Sequence, residues 1–247
     1  MKRNDEIWKT EGRAKRFLEG IRPAMPWVSE QLEAMFRVIE ARGEDVNSFV
    51  DLGCGGGMLT EAILDRYPQS SGALVDFSKT MLKEAERNMA GRSDNLRFIE
   101  ADLGVETWVS TLKDCSPFDL IASGFCIHHQ ADERKRQLYG EIYDLLKPGG
   151  LFINIERVAS STKWLEMIFY DALSDSMYKF HSDNGSTKTK EQIFDEIVNG
   201  TDRTADRLAS VEAQCGWLRD LGFQDVDCFF KMFDVAVFGG RRPQVRL

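Results

Sequence analysis

Two hydrophobic patterns alternate along the chain. Short apolar runs bounded by turn residues recur between stretches whose apolar positions repeat every three or four residues. SFVDLGCGGG is an apolar run ending in a glycine cluster, which predicts a buried strand and a tight loop. MLTEAILDRY resumes the helical period, ALVDF predicts a second strand, and Ser78 is placed to cap the helix KTMLKEAERNM. LRFIEADL and FDLIASGF predict a third and a fourth strand. In ADERKRQLYGEIYDLLK, Leu138, Ile142, Leu145 and Leu146 share one helical face. Pro148-Gly149-Gly150 predicts a turn before a fifth strand, LFINIE. From residue 48 to 156 the order is therefore β-α-β-α-β-(α)-β-α-β. Such alternation implies parallel strands with helices on both faces, because each crossover is right-handed and must cover the sheet.

The flanks differ. Residues 1–20 are of mixed charge and predicted helical, with Trp8 and Phe17 as apolar anchors. IRPAMPW then breaks the chain at 21–27, and Ser29 is the expected N-cap of a helix carrying Leu32, Met35, Phe36 and Ile39. Residues 160–205 form a helical insertion, KWLEMIFYDALSDSMYKF and KEQIFDEIV joined by HSDNGSTK. SVEAQCGWLRDLGF is a further helix, ended by Gly222. DVDCFF and DVAVFGG are strands separated only by Lys231 to Phe233, and so short a link forces an antiparallel pair. The expected fold class is α/β: a Rossmann-like doubly wound sheet of five parallel strands plus a C-terminal antiparallel hairpin. A single domain spans 1–247, with N-terminal helices over 1–47, a core at 48–156 and 208–240, and a lid or dimer element at 160–205.

Composition narrows the partners. With 43% hydrophobic and 29% charged residues in 247, the chain has an ordinary globular balance, neither disordered nor fibrous. No window offers ~18 uninterrupted apolar residues for a membrane span, and MKRNDEIWKT lacks the apolar stretch of a secretory signal. Five cysteines with no CxxC pair read as reduced thiols in a cytoplasmic protein, not as a disulfide framework or a zinc motif. No metal set is expected. The net charge of −8 argues against direct nucleic-acid binding, which normally needs a basic face. Lys9, Arg13 and Arg16 make a basic stripe, but Asp5, Glu6 and Glu11 interleave it, which suits a solvated face.

The strongest chemical signal is Asp51-Leu52-Gly53-Cys54-Gly55-Gly56-Gly57. Glycines let the backbone turn sharply and bring N–H groups against a ligand. A dinucleotide fingerprint would need a glycine where Met58 stands. Asp76, ending the second strand, is spaced to accept both hydroxyls of an adenosine ribose, with Phe77 offering an apolar face to adenine. Asp102, ending the third, is placed for the adenine amino group. Cys54 has no recognisable base beside it, so packing explains it better than nucleophilicity. His128-His129 ends the fourth strand, where histidines can act as a general base or wall a pocket.

VDLGCGGG, VDF, EADL, FDLIASGFCIHH and LLKPGGLF, in this order, resemble the motifs of class I S-adenosylmethionine-dependent methyltransferases. The resemblance covers 48–156 and 208–240. It implies Gly53, Gly55 and Gly57 around the methionine moiety with Asp51 beneath, Asp76 on the ribose, Asp102 and Leu103 at adenine, and the backbone of Ser123 and Gly124 near the sulfonium. Cys54, Phe77 and Met81 complete the candidate cofactor set, and His128 and His129 are the catalytic candidates. The implied cofactor is S-adenosyl-L-methionine, with S-adenosyl-L-homocysteine as product. The implied partner is a small-molecule methyl acceptor, with a homodimer as one use of the insertion. The tail, SVEAQ, WLRDLGF, DVDCFFK and AVFGG, is similar to the branch containing carboxy-S-adenosylmethionine synthase of tRNA wobble-uridine modification and to related small-molecule methyltransferases. That synthase grips an extra carboxylate with an arginine from the insertion. Glu191–Gly200 carries no cation, and Arg203 and Arg207 follow it. A non-catalytic S-adenosylmethionine-binding protein is the alternative of another class.

Overall fold

The computed structural model describes residues 24–200 and 205–244, with Thr10, Gly12, Leu18 and Ile21. The helix expected over 1–20 with Trp8 and Phe17, the stripe Lys9, Arg13 and Arg16, and Arg203 lie outside the described residues. Helix α1 (Val28–Ala41) leads into strand β1 (Ser48–Leu52), then α2 (Met58–Arg66), β2 (Ser71–Asp76), α3 (Lys79–Asn88) and β3 (Leu96–Glu100). Strand β4 (Phe118–Gly124), α4 (Asp132–Leu145) and β5 (Leu146–Arg157) complete the parallel part. The insertion is α5 (Lys163–Asp183) and α6 (Lys190–Asn199). It is followed by α7 (Val211–Asp220), β6 (Gln224–Met232) and β7 (Val235–Arg241).

The seven strands lie in the order β3-β2-β1-β4-β5-β7-β6. Strands β1 to β5 pair in parallel, and β7 runs antiparallel to both β5 and β6. Because β7 sits between β5 and β6, it is the single reversed strand of the sheet. The two-residue link Phe233-Asp234 makes that possible, with Phe233 at φ +50°.

Alternation along the strands sorts side chains between two cores. Phe49, Leu74, Leu120, Ala122 and Ile153 face α1, α2 and α3 through Met35, Ile39, Leu59, Ile63 and Ala85. Val50, Leu52, Val75, Ile121, Phe152 and Phe238 face α4 and α7 through Leu138, Ile142, Cys215 and Leu218. A third cluster joins Phe169, Tyr170 and Met177 of α5 to Ile193 of α6, Met25 and Val235.

Three local expectations are corrected. Ser29 is not the N-cap of α1: Trp27 occupies that position at φ +59°, and Ser29 lies in the first turn, donating to Glu30. The turn at Pro26-Trp27 starts the helix early, and Gln31 Nε2 donates to the Pro26 carbonyl at 2.9 Å. Pro148-Gly149-Gly150 does not precede the fifth strand but lies inside it. The β4–β5 register jumps there, from Phe118 opposite Leu146 to Leu120 opposite Leu151, with Gly149 at φ +81°. Leu146 consequently opens β5 instead of closing the helix. Ser78 does cap α3, accepting from Met81 N; Ser210, not foreseen as a cap, accepts from Ala213 N and caps α7.

Two glycines give opposite expectations. A Cβ on Gly239 would meet the Phe152 carbonyl oxygen at 1.9 Å, a backbone atom that cannot step aside. Gly239→Ala should lower stability by about 1–3 kcal/mol or more. Gly216, inside α7, has nothing within 4 Å of that position. Gly216→Ala should raise stability by about 0.5–1 kcal/mol through helix propensity. Urea midpoints of the two variants test the pair, and equal shifts would contradict this account of the sheet.

Candidate functional site

The parallel strands end at one edge, where Leu52 pairs with Val75 and with Ser123, and Asp76 with Glu100. The loop Gly53–Gly57 leaves β1 at this edge. It is held from below by Asp51, whose Oδ2 accepts from Thr60 N at 3.1 Å and Thr60 Oγ1 at 2.8 Å. The Gly53 and Cys54 amides both donate to the Val75 carbonyl, at 2.8 and 3.1 Å. Gly53 has φ +69°, and a Cβ there would lie 2.1 Å from Cys126 Sγ, so only glycine fits. Gly55 has φ +53°, and open space lies where its Cβ would be. Gly57 has φ +88° and opens α2.

Asp76 holds the loop from β2. Its Oδ2 accepts from Gly55 N at 3.0 Å and its Oδ1 from Ser78 N at 2.8 Å. It is only 7% exposed, and burial pushes its carboxyl up to about 6 against the pull of the Ser78, Gly55 and Phe77 amides. Met81 is buried at the cap of α3. Asp102 Oδ1 accepts from Gly104 N at 2.8 Å. The Leu103 carbonyl accepts from Arg134 Nε at 2.7 Å, and Arg134 forks onto both oxygens of Glu141 at 2.7 Å each. Ser123 is buried, with its hydroxyl donating to the Leu52 carbonyl at 2.9 Å, and Gly124 ends β4 beside it. The loop, Asp76, Ser123 and the Asp102 turn thus share one edge. Cys54 is buried, and burial followed by Asp76 and Asp51 holds its thiol well above the ordinary range, which suits packing.

A second group adjoins the loop. Phe125, at φ +52°, donates its N–H to the Ile155 carbonyl at 2.8 Å. Cys126 then packs on Gly53, and a short turn, Ile127–His129, carries the two histidines. His128 Nδ1 and Glu156 Oε1 are 2.5 Å apart, and the His128 amide donates to Glu156 Oε2 at 2.9 Å. His128 Nε2 and His129 Nδ1 lie 3.4 and 3.6 Å from Asp206 Oδ1. Arg157 Nη1 bonds Asp206 Oδ2 at 2.6 Å, with its guanidinium over the Phe169 and Tyr170 rings. Burial alone would lower the His128 pKa, but Glu156 and Asp206 outweigh it and raise it to about 9. Burial and the neighbouring His128 push His129 down to about 3. Burial would raise Asp206, yet the His128 and Arg157 charges bring it to about 2.

Glu156, Arg157 and Asp206 were not among the expected site residues. Glu156 carried a faint signal, as an acid ending an apolar strand. Asp206 carried none, since only the fold returns it to the histidines. Its segment is docked: Arg207 N donates to the His128 carbonyl at 2.9 Å, Ala159 N to the Ala209 carbonyl at 3.0 Å, and the buried Lys135 to the Arg207 carbonyl. The Arg207 side chain is exposed and does not enter the cluster. In α5, Phe169 and Tyr170 are buried while Trp164 is 71% exposed.

The sheet order, the glycine loop and the acidic strand ends define a class I S-adenosylmethionine-dependent methyltransferase fold. Comparison with known proteins agrees. A family described as a methyltransferase domain matches residues 49–150. Malonyl-[acyl-carrier protein] O-methyltransferase 2 of Ilyobacter polytropus is 33% identical over 110 residues, 44% of this chain and 39% of that protein. This chain therefore spans about two fifths of that relative's length. Carboxy-S-adenosyl-L-methionine synthase of Nautilia profundicola is 20% identical over 226 residues, covering 91% of this chain and 90% of that one. Human N-acetylserotonin methyltransferase, solved with S-adenosylmethionine, superposes with a TM-score of 0.61 at 18% identity, covering 96% of this chain and 58% of that chain. Residues 49–150 thus match a methyltransferase domain, and the sheet around them has the fold of S-adenosylmethionine-dependent methyltransferases. Among the described residues, no helix is long and apolar enough to cross a membrane.

The Glu156–His128 pair is a buried ion pair whose partners share two hydrogen bonds. Removing one partner of such a pair costs about 3–5 kcal/mol, mostly by stranding the other. Glu156→Ala should therefore lower stability by that amount and Glu156→Gln by less, as read from chemical denaturation. A Glu156→Ala protein as stable as the parent would show that the pair is not a support of the fold.

Proposed function

We propose that this chain transfers a methyl group from S-adenosyl-L-methionine to a small-molecule acceptor and releases S-adenosyl-L-homocysteine. The observation that carries the reading is Asp76: a buried carboxylate at the end of β2, one hydrogen bond from a loop glycine with open space beyond its Cα. A ribose diol replacing the Gly55 amide as donor would satisfy it. The loop amides and the room beside Gly55 suit the methionine end, with Asp51, Gly53, Cys54 and Gly57 setting the loop's shape. Phe77 and Met81 supply apolar surface for adenine, Asp102 and Leu103 its polar edge, and Ser123 and Gly124 border the reacting end. The sulfonium supplies its own leaving group, so the protein binds, orients and keeps water out.

His128 and His129 belong to the acceptor side of this reading. Both ring nitrogens of His128 already face carboxylates, which makes it a wall of the pocket. His129 is then the imidazole nearest an incoming acceptor. The acceptor class follows the curated relatives, whose names include malonyl-[acyl-carrier protein], demethylmenaquinone and trans-aconitate methyltransferases. We place the protein in the cytoplasm without a nucleic-acid partner, and read α5 and α6 as a lid or a contact to a second copy. The near full-length likeness to carboxy-S-adenosyl-L-methionine synthase favours a second reading, synthesis of a carboxylated cofactor. The exposed Arg207 side chain weighs against it. Incubation with S-adenosylmethionine and prephenate, read by mass spectrometry, separates the two, since only the synthase yields a carboxylated sulfonium.

Two outcomes follow for the cofactor. A charge-assisted hydrogen bond is worth ~1.5–3 kcal/mol, so Asp76→Ala should weaken S-adenosylhomocysteine binding by about ten- to a hundred-fold. The ribose hydroxyls need an ionised acceptor, and the Asp76 carboxyl titrates at about 6. Affinity should therefore hold above that pH and fall by roughly tenfold per unit below it. Calorimetry across pH checks both. An unchanged affinity in a folded Asp76→Ala protein removes Asp76 from the site, and a pH-independent affinity removes its ionisation from the binding step.

A further inference from the structure

We propose that His128, His129 and Asp206 form a binding site for a zinc-class divalent metal ion. One donor atom from each of His128, His129 and Asp206 lies within 4.8 Å of the other two. The histidine–carboxylate separations, 3.4 and 3.6 Å, are long for hydrogen bonds. They match instead the edge of a tetrahedron whose metal–ligand bonds are about 2.0–2.1 Å, an edge of roughly 3.4 Å. His129 Nδ1 donates to the Ala205 carbonyl at 3.3 Å, a hydrogen bond that the metal would replace as the nitrogen gives up its proton.

The surroundings are those a metal site needs. His128 gives its other ring nitrogen to Glu156 Oε1, which orients the ring and directs Nε2 to the shared point. Arg157 holds the outer oxygen of Asp206 at 2.6 Å, leaving Oδ1 turned to the histidines. Charge points the same way. Glu156 and Asp206 face the two imidazoles in a largely buried space, Arg157 pairs with Asp206, and Asp234 beyond it also feels Lys231. Two nitrogens and one carboxylate suit zinc, cobalt or nickel, whereas calcium and magnesium prefer all-oxygen sets. Adjacent histidines and a distant aspartate form no recognisable sequence motif. The fold assembles them by docking residues 206–209 against the histidine turn and the end of β5.

The experiment uses the whole chain, stripped with a chelator and titrated with Zn2+ and then Co2+. One equivalent of metal should survive gel filtration, raise the melting temperature and give the visible spectrum of four-coordinate Co2+ without thiolate bands. His129→Ala and Asp206→Asn, each checked for fold by circular dichroism, should lose the equivalent. Glu156→Gln, which keeps every ligand, should weaken binding by about ten- to a hundred-fold. Absence of a retained equivalent in the parent protein overturns the proposal. So does full retention by folded His129→Ala, or loss of metal only when Cys54 or Cys126 is replaced. These readouts are independent of methyl transfer, so the metal site and the proposed function can fail separately.

Discussion

The glycine loop can bind nothing unless its backbone is held open, and two buried aspartates from adjacent strands hold it. Asp51 grips the first turn of α2 through Thr60, and Asp76 grips the loop itself through the Gly55 amide. Between them, Gly53 and Cys54 hang from the Val75 carbonyl. The loop is thus fixed to β1, β2 and α2 before any ligand arrives. Burying two carboxylates so close together is unfavourable unless each is satisfied, and backbone amides, with the Thr60 hydroxyl, satisfy them. That leaves Asp76 poised: its carboxyl titrates near 6 because burial outweighs those amides.

Parallel pairing carries the rest. Strand β1 is central, bonded to β2 on one side and β4 on the other. The close approach of β4's exit to the loop is possible only because Gly53 has no side chain, so that Cys126 occupies that volume. One missing Cβ therefore decides where His128 and His129 stand relative to the loop. Alternation on β5 does the complementary work. Leu151, Ile153 and Ile155 serve the α1–α3 face, which turns Glu156 toward the α4 face, where His128 meets it.

Much of this was legible in the chain's own pattern, for identifiable reasons. The glycine cluster, the acids at the ends of the second and third strands, and the two-residue hairpin link are local, and local sequence encodes them directly. Ser78 was readable as a cap because a cap is a contact three residues away. Ser29 misled because Trp27 adopts a left-handed conformation that its residue type does not favour. Pro148-Gly149-Gly150 misled because a bulge uses the same residues as a turn. Asp206 was invisible because its partners are distant in sequence and come together only once α5 and α6 have folded back.

Phe125 joins the two halves of the site. A bulky residue at φ +52° is a strained one, costing on the order of 1–3 kcal/mol. It persists because its amide is tied to the Ile155 carbonyl and its ring packs between two clusters, one under the glycine loop and one against α5. The conformation turns the chain sharply out of β4, so Cys126 reaches Gly53 while His128, two residues on, reaches Glu156. An unstrained exit would carry the chain past one partner or the other. The strain is accordingly the structural link between the loop and the buried charge cluster, and it ties the insertion that covers Phe125 to the geometry of both.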